Sequence, residues 1–484
     1  MDQIGSVSVL DDYLHNIVGE EAHVRIAFDE CVGRHLVATR DLAVGQVIAR
    51  ETQAISAPQS GRLCVGCQRR PAGSEGCPRC GWPLCNICAD EVESGNLSSS
   101  WLHVECEILT PLREKRPWQT WRAPGAVLGV LRCLLLRKER PQVWTAVDCL
   151  QDNVTNLGRT PWLQGCLQNI IAPIQNDCGL NESVRTLAHI AGVLDTNSFA
   201  VSAADGMSAR ALYPLLCLMA HDCSPNTNRF FDSGVTTLIA TRPIAAGERV
   251  LTSYTSLLWG TDARRSHLAA TKFFHCTCRR CEQPSELDAE VTSLACHKDV
   301  DDGSICGGRR SSRRVGDDEV WECDRCGFRM PAAKVRTLHQ MLAMTLGRTL
   351  ELRDVEKAER WAEAHREVLA ENHHFLLETR LLLVDLYAER KEGDVIENNR
   401  KRRRLCEGLL DITSRLDPGP TRMRGKLLCH LIESTVLAGD PRQKPDSWYV
   451  ALADEAVTIL RYDGLLRPLA ERVRELVRAR MPAT

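Results

Sequence analysis

Cysteines occur in this chain at spacings typical of metal ligands. The first cluster runs from residue 64 to residue 106, and most of its members form pairs separated by two residues: Cys64, Cys67, Cys77, Cys80, Cys85, Cys88, His103 and Cys106. A structural zinc ion takes four thiolate or imidazole ligands in a tetrahedral arrangement. Eight such residues therefore predict two zinc sites.

A second cluster places Cys276, Cys278 and Cys281 close together, one ligand short of a complete tetrahedral site. A third cluster has a layout similar to that of a zinc ribbon, in which two separated cysteines precede a closely spaced pair: Cys296, Cys306, Cys323 and Cys326. Glycines follow Cys306 and Cys326 and allow tight turns around the ligands. We predict a zinc site here, with His297 as a substitute ligand and free thiols as the alternative.

Disulfides are the competing interpretation of these cysteines, and they require an oxidising compartment. The chain begins MDQIGSVSVLDDYLHNIVGE, which has no apolar segment like that of a signal peptide. The most apolar stretch, VLGVLRCLLLRK, is interrupted by Arg132 and is too short to span a membrane. We therefore expect a soluble, intracellular protein, in the nucleus or the cytoplasm, that binds zinc.

Charge argues against direct nucleic-acid binding, because the net charge is -2 and residues 89–102 of the first cluster are acidic and polar. Basic runs occur at 309–314 and 400–404, and each could be a nuclear-import signal or a nucleic-acid patch. The second run continues into LCEGLLDITSRL and is predicted to form the solvated face of a helix.

The elements that must position these residues change character along the chain. Residues 24–56 alternate β-branched runs with glycine turns, as hairpins do, and similar sequence returns in VTTLIATRPIAAGERVLTSY. Residues 108–192 and everything after about 336 follow helical periodicity. One apolar stripe predicts a helix that contains Ala358, Trp361, Ala362, His365, Val368 and Leu369. The fold class is therefore α+β, with a β-rich domain interrupted by a zinc module and a helical insert, and an all-α C-terminal region resembling tetratricopeptide hairpins.

Several motifs occur in a fixed order along the chain: Gly33-Arg34-His35-Leu36-Val37-Ala38-Thr39, the first cysteine cluster, Asn197-Ser198-Phe199, Ala220-His221-Asp222-Cys223-Ser224-Pro225-Asn226, Gly247-Glu248, Ser253-Tyr254 and Cys276-x-Cys-x2-Cys281. In this order they resemble the SMYD family, in which a SET methyltransferase domain is split by a MYND zinc finger. The resemblance is strongest to the arthropod SmydA subgroup.

The resemblance implies a protein-lysine methyltransferase that uses S-adenosylmethionine, with Tyr254 as the catalytic residue. It implies a cofactor pocket built from Gly33, Arg34, His35, Asn197, His221, Tyr254 and Phe274. It also makes Cys223 the fourth ligand of a post-SET zinc site with Cys276, Cys278 and Cys281. The implied partners are a protein substrate with a target lysine and proline-rich peptides bound by the MYND finger, with no membrane partner, and the chain is expected to be a monomer.

The predicted segments are a helical N-terminal segment (1–22), the first part of SET (23–60), MYND (61–107), a helical insert (108–192), the second part of SET (193–260), post-SET (261–285), a zinc-ribbon-like segment (286–335) and the helical C-terminal domain (336–484).

Two departures from the family motifs bear on activity. The first motif normally reads Gly-x-Gly, whereas this chain has His35 in the third position. The second normally begins with an asparagine that hydrogen-bonds the cofactor, and Ala220 and Asp222 replace that asparagine and a serine. One lost partner costs about 1 to 3 kcal/mol, which weakens binding roughly 5- to 150-fold. An active methyltransferase and a weak or inactive scaffold that recruits protein partners, for example in transcriptional regulation, both remain open.

Overall fold

The computed structural model describes residues 5–19, 21–59, 63–71, 76–94, 101–202, 207–283, 285–299, 304–315, 318–390, 392–439 and 445–480. The chain divides into two compact units. The first unit comprises Met1–Ala220, Arg229–Leu251 and Tyr462–Leu465, and the second comprises His221–Asn228, Thr252–Arg461 and Leu466–Thr484.

The strands are β1 Val24–Asp29, β2 Gly33–Ala38, β3 Val47–Thr52, β4 Ile55–Pro58, β5 Phe199–Ser202, β6 Ser208–Leu212, β7 Ala220–His221, β8 Thr227–Asp232, β9 Val235–Ala240, β10 Leu251–Thr252, β11 Leu294–Ala295, β12 Arg309–Val315, β13 Asp318–Cys323 and β14 Arg329–Pro331. Strands β1 and β2 form an antiparallel hairpin in which Ala27 lies opposite His35. Two three-stranded sheets follow, in the orders β3-β9-β8 and β4-β6-β5.

The helices are α1 Gly5–Tyr13, α2 Asn86–Ser94, α3 Trp101–Leu109, α4 Leu112–Lys115, α5 Pro124–Glu139, α6 Pro141–Asp148, α7 Val154–Leu157, α8 Trp162–Cys166, α9 Val184–Asn197, α10 Thr261–Thr271, α11 Arg279–Glu282, α12 Ala332–Leu352, α13 Val355–His365, α14 His374–Glu389, α15 Val395–Leu416, α16 Arg422–Leu437, α17 Asp446–Leu460 and α18 Arg467–Arg480. Shorter helical turns lie at Leu14–Val18, Trp118–Thr120, Leu167–Ile171, Pro173–Asp177 and Leu216–Leu218.

The core of the first unit is built around α5, which is buried on all sides from Val127 to Leu136. Pro124 starts this helix at a position where its missing N–H is not needed. Arg132 lies inside the buried stretch, and its guanidinium donates two hydrogen bonds to the Glu105 carboxylate of α3, at 2.7 and 3.0 Å. Because the charge of Arg132 is paired, a helix whose apolar sequence is interrupted by this arginine can lie in the core.

The second unit combines a small sheet with a helical array. The sheet runs β11-β12-β13-β14, and the helices from α12 to α18 pack largely on their neighbours in sequence. Side-chain caps start several of them, with Asp354, Asp394 and Thr421 accepting hydrogen bonds from the first turns of α13, α15 and α16. The predicted α+β class, with its all-helical C-terminal region, is confirmed. Within the described residues, no helix is both long and apolar enough to span a membrane.

One helix prediction was too long. The apolar stripe beginning at Ala358 predicts helix through Leu369, but α13 ends at His365. Leu369 instead forms a bridge with Leu294, and the Ala295 N–H donates to the Val368 carbonyl. Pairing with β11 therefore takes the place of the last helical turn.

Candidate active site and metal centres

Four groups of cysteines converge in the described part of the chain, and within each group all sulfur atoms lie within 4.8 Å of one another. The first cluster forms two of them by interleaving its pairs. One group joins the first and third pairs: Cys64, Cys67, Cys85 and Cys88. The other joins the second pair to a helix residue: Cys77, Cys80 and Cys106. The first offers four sulfur donors, a complete ligand set for tetrahedral zinc.

His103 is predicted as the fourth ligand of the three-cysteine group, and the structure does not bring it there. It lies on α3 with half of its side chain exposed, and its Nδ1 is 3.4 Å from the Glu107 carboxylate. Cys106, three residues later on the same helix, does join the group. A ligand role for His103 thus stays a prediction.

The third sequence cluster also converges. Cys296 and Cys326 have their sulfurs 3.7 Å apart, and those of Cys306 and Cys323 are separated by 3.6 Å. The turns around the ligands supply N–H groups to the sulfurs, as where the Arg325 N–H points at Cys323. Four convergent thiols fit a structural zinc site better than free thiols.

Cys223 meets Cys276, Cys278 and Cys281 in the second unit. The Cys223 sulfur lies 3.5 Å from that of Cys281 and 3.9 Å from that of Cys276. Hydrogen bonding from Cys223 lowers the pKa of Cys278 to about 5, so a thiolate is available at neutral pH. The donor set fits zinc, and its position links the segment around His221 to the start of α11.

His221, Tyr254 and Phe274 form an aromatic set beside these thiols. The His221 ring centre lies 5.2 Å from that of Tyr254 and 5.8 Å from that of Phe274. The Tyr254 N–H donates to Nδ1 of His221 at 3.0 Å, so that nitrogen carries no proton. Burial lowers the pKa of His221 to about 4, which keeps the ring neutral at pH 7. Its Nε2–H therefore faces the Cys223 sulfur at 3.3 Å.

The segment after α10 is strained where it reaches this set. Phe273 has a φ of 61°, a left-handed conformation that is rare for a bulky side chain. On either side of it, Lys272 places its ammonium 5.6 Å from the Tyr254 ring centre and Phe274 approaches His221. Sequence motifs did not single out Lys272.

Other predicted cofactor residues belong to the first unit. Gly33 opens β2 with a φ of 75°, which favours glycine. The Arg34 guanidinium donates to the Cys149 carbonyl at 2.7 Å, and burial lowers its pKa. His35 is buried, and its Nδ1–H donates to the Gly33 carbonyl at 2.9 Å. The ring thus turns back on its own strand.

Asn197 ends α9, and its side-chain amide is committed within the first unit. Its Nδ2 donates to the carbonyls of Gln151 and Val193, each at 2.8 Å. These bonds fix the orientation of the amide and therefore the position of its acceptor atom, Oδ1. The predicted cofactor contact of Asn197 would therefore have to use Oδ1.

The motif departures have visible local roles. Asp222 accepts a hydrogen bond from the Ser224 N–H at 2.7 Å and so caps the turn that carries Cys223. Ala220 is buried at the end of the first unit. An asparagine at position 220 would add a polar side chain to this buried position.

Most of the motifs lie in a segment that matches a known protein family. Residues 33–255 match the family model for the SET domain. The chain is 30% identical over 344 residues to the SET domain-containing protein SmydA-8, isoform B, of Drosophila melanogaster, an alignment that covers 68% of this chain and 72% of that protein. It is 26% identical to the N-lysine methyltransferase SMYD2 of Gallus gallus, with 54% of this chain and 60% of that one aligned.

The chain is thus a SET-domain protein. It belongs to the SMYD family and, within it, to the SmydA-like subgroup. Among solved structures, the SET domain of LSMT bound to lysine and AdoHcy aligns with 99% of this chain and 92% of that one, at 11% identity and a TM-score of 0.34, which is too low to support an inference.

Proposed function

We propose that this chain transfers methyl groups from S-adenosylmethionine to lysine Nζ atoms of histone or other proteins, with Tyr254 as the catalytic residue. The arrangement of Tyr254 on a neutral His221, beside a four-thiol group, is the observation that carries the proposal. Relatives named N-lysine and histone-lysine methyltransferases support it.

S-adenosylmethionine supplies a methyl group on a positively charged sulfur. The acceptor lysine has an ordinary pKa of about 10.4, so its deprotonation at pH 7 costs about 4.6 kcal/mol. Desolvation between apolar walls disfavours the ammonium form and lowers that cost. A neutral His221 and the ring of Phe274 provide such walls next to Tyr254. We assign to the Tyr254 hydroxyl the task of orienting the neutral amine, so that its nitrogen bonds the methyl carbon as the carbon–sulfur bond breaks.

The four thiol groups are proposed as structural zinc sites, with His103 completing the second site of the MYND finger. We propose that the domains follow the limits predicted from the sequence, including MYND at 61–107 and post-SET at 261–285.

A second function rests on a different observation. A cavity of about 300 Å³ is lined by residues of the MYND segment, Gly76, Cys77, Cys80 and Gly81, and by residues at the start of the helical insert, Arg113, Pro117, Trp118 and Gln119. The Trp118 ring stacks on Trp82 with centres 5.0 Å apart. Grooves lined by aromatic rings suit proline-rich peptides, which enter them in an extended, preformed helix. This favours recruitment of such peptides, with or without catalysis.

Calorimetric titration of S-adenosylmethionine into zinc-replete protein distinguishes an enzyme from a pure scaffold. We expect the parent chain to bind in the micromolar range and Ala220→Asn to bind roughly 5- to 150-fold more tightly, through one restored hydrogen bond. Gly347→Ala on α12, where nothing lies within 4 Å of the added Cβ, is the control and should bind as the parent does. No heat from the parent, with binding restored only by Ala220→Asn or an added His35→Gly change, would assign the function to recruitment.

A further inference from the structure

A fully buried arginine donates hydrogen bonds to two thiols of the post-SET group. Arg264 of α10 has no exposed surface. Its Nε–H donates to the Cys223 sulfur at 3.2 Å and an Nη2–H donates to the Cys281 sulfur at 3.4 Å. The rigid guanidinium fork thus reaches two ligands of one metal site at once.

A buried carboxylate holds that arginine in place. Glu286 is 1% exposed, and its Oε2 lies 2.6 Å from Nη1 of Arg264. Its Oε1 accepts the Thr261 N–H at 2.8 Å, at the start of the helix that carries Arg264. A second buried arginine, Arg280, approaches the same carboxylate at 3.3 Å and donates to the Cys223 carbonyl.

The charges are complementary to a metal site. Zinc bound by four thiolates carries a net charge of about -2. Arg264, Arg280 and Glu286, all buried, together add one positive charge next to it. Buried charges are tolerated only when they are paired, and here the thiolates are part of the pairing.

The backbone that presents Glu286 is strained. Glu286, Leu287 and Asp288 have φ values of 47°, 61° and 59°, and Glu290 has 53°. A run of left-handed residues without glycine is rare and persists only where surrounding contacts enforce it. The Arg415 guanidinium holds the turn from outside by donating to the Asp288 carbonyl at 2.9 Å.

The polar contacts of Arg264 extend through neighbouring residues to the proposed catalytic residue. Cys223, held by Arg264, faces Nε2 of His221 at 3.3 Å, and Nδ1 of His221 accepts the Tyr254 N–H at 3.0 Å. A continuous line of polar contacts thus runs from Glu286 through Arg264, Cys223 and His221 to the Tyr254 backbone. Each link is local to the second unit.

We infer that Arg264, oriented by Glu286, is a positioning residue that holds the post-SET zinc ligands and, through Cys223 and His221, fixes Tyr254. Its effect on Tyr254 rests on the proposed methyltransferase function, whereas its effect on zinc does not. Arg264 touches neither substrate nor reacting atoms in this scheme.

Zinc release to a chromogenic chelator tests the first part with the full-length zinc-loaded protein. Loss of an outer partner typically weakens metal binding 10- to 100-fold, so we expect Arg264→Met to release one zinc per chain at least about tenfold faster than the parent. Zinc release from Arg264→Lys and from Glu286→Gln should be faster than from the parent and slower than from Arg264→Met, because these variants keep part of the charge or shape. The control is Arg402→Met, which removes another buried arginine, paired with Glu433 on α16, and should not accelerate release.

Two further measurements distinguish a positioning role of Arg264 from a purely stabilising one. In Arg264→Lys, kcat should fall while KM for a lysine peptide stays unchanged, because alignment is lost and not peptide binding. Selective nitrogen NMR of histidine should show His221 leaving its Nε2–H tautomer in Arg264→Met. Zinc release from Arg264→Met or, if that variant does not fold, from Arg264→Lys at the rate of Arg402→Met would overturn the inference. A parent without methyl transfer would refute the proposed function and leave the zinc result to decide this one.

Discussion

At the scale of single residues, the site depends on a fixed histidine tautomer. The Tyr254 N–H occupies Nδ1 of His221, and this leaves the Nε2 proton for the Cys223 sulfur. Because the imidazole is neutral, it packs against the Tyr254 ring without adding a charge beside the hydroxyl that we propose as the orienting group.

Removal of the Tyr254 hydroxyl tests its proposed role. Tyr254→Phe keeps the ring that packs against His221 and removes only the oxygen. Loss of one preorganised group commonly costs about 10²- to 10³-fold in kcat, so we expect a loss of that size with unchanged zinc content and thermal stability. Steady-state kinetics with a lysine peptide measures it, and an unaltered kcat would remove Tyr254 from the chemistry.

Sequence could identify residues with short-range signatures and missed those defined by burial. Cysteine spacing predicted most of the sulfurs that converge, and the family resemblance added Cys223. Spacing could not decide that the first pair shares a group with the third, since that depends on the path of the chain. Arg264 and Glu286 look like ordinary surface charges in sequence. Arg402, predicted on a solvated face, is 2% exposed and bound to Glu433.

At the scale of elements, α9 is the helix that presents Asn197, and its packing is tight. A Cβ at Gly192 would lie 2.5 Å from the Asp152 carbonyl oxygen and 2.8 Å from a Val154 methyl. We expect Gly192→Ala to lower the free energy of unfolding by about 1 to 3 kcal/mol, because backbone must shift to make room. Gly347→Ala on α12 is the control, since nothing lies within 4 Å of its Cβ position. Urea titration showing equal effects for both would contradict the packing argument.

The same helix carries a pH-dependent contact. Hydrogen bonds to Asp148 and then to Asp152 raise the pKa of His189 to about 9, from an ordinary value of 6.5. A raised histidine pKa stabilises the folded state fully below pH 6.5, and that stabilisation is lost as the pH rises through 9. His189→Gln should therefore cost up to about 3 kcal/mol at pH 6 and almost nothing near pH 10. Urea unfolding at both values checks this, and an equal cost at each would refute it.

At the scale of the whole molecule, the four thiol groups predict four zinc ions per chain. Metal analysis by mass spectrometry should give that number in protein purified without chelator. The double change Cys306→Ser and Cys323→Ser should lower it by one and leave the other three in place, because each group draws its sulfurs from separate residues. Three ions in the parent chain and in the double variant would exclude the third cluster as a zinc site.

The fold class followed from periodicity and motif order, whereas the details of pairing did not. Hairpin-like sequence over 24–56 corresponds to β1–β4, and the helical insert contains α4–α9. The bridge between Leu294 and Leu369 joins residues far apart in the chain, and no local pattern announces it. Long-range contacts of this kind override local propensity.

The central claim is that the chain methylates lysine through Tyr254. The most direct measurement incubates zinc-loaded parent and Tyr254→Phe proteins with S-adenosylmethionine bearing a deuterated methyl group and a mixture of histones and lysine peptides, followed by mass spectrometry of the products. We expect deuterated methyl groups on lysine Nζ atoms with the parent and at least about a hundredfold less with Tyr254→Phe. Equal labelling by both, or none by a parent chain that binds the methyl donor, would contradict the claim.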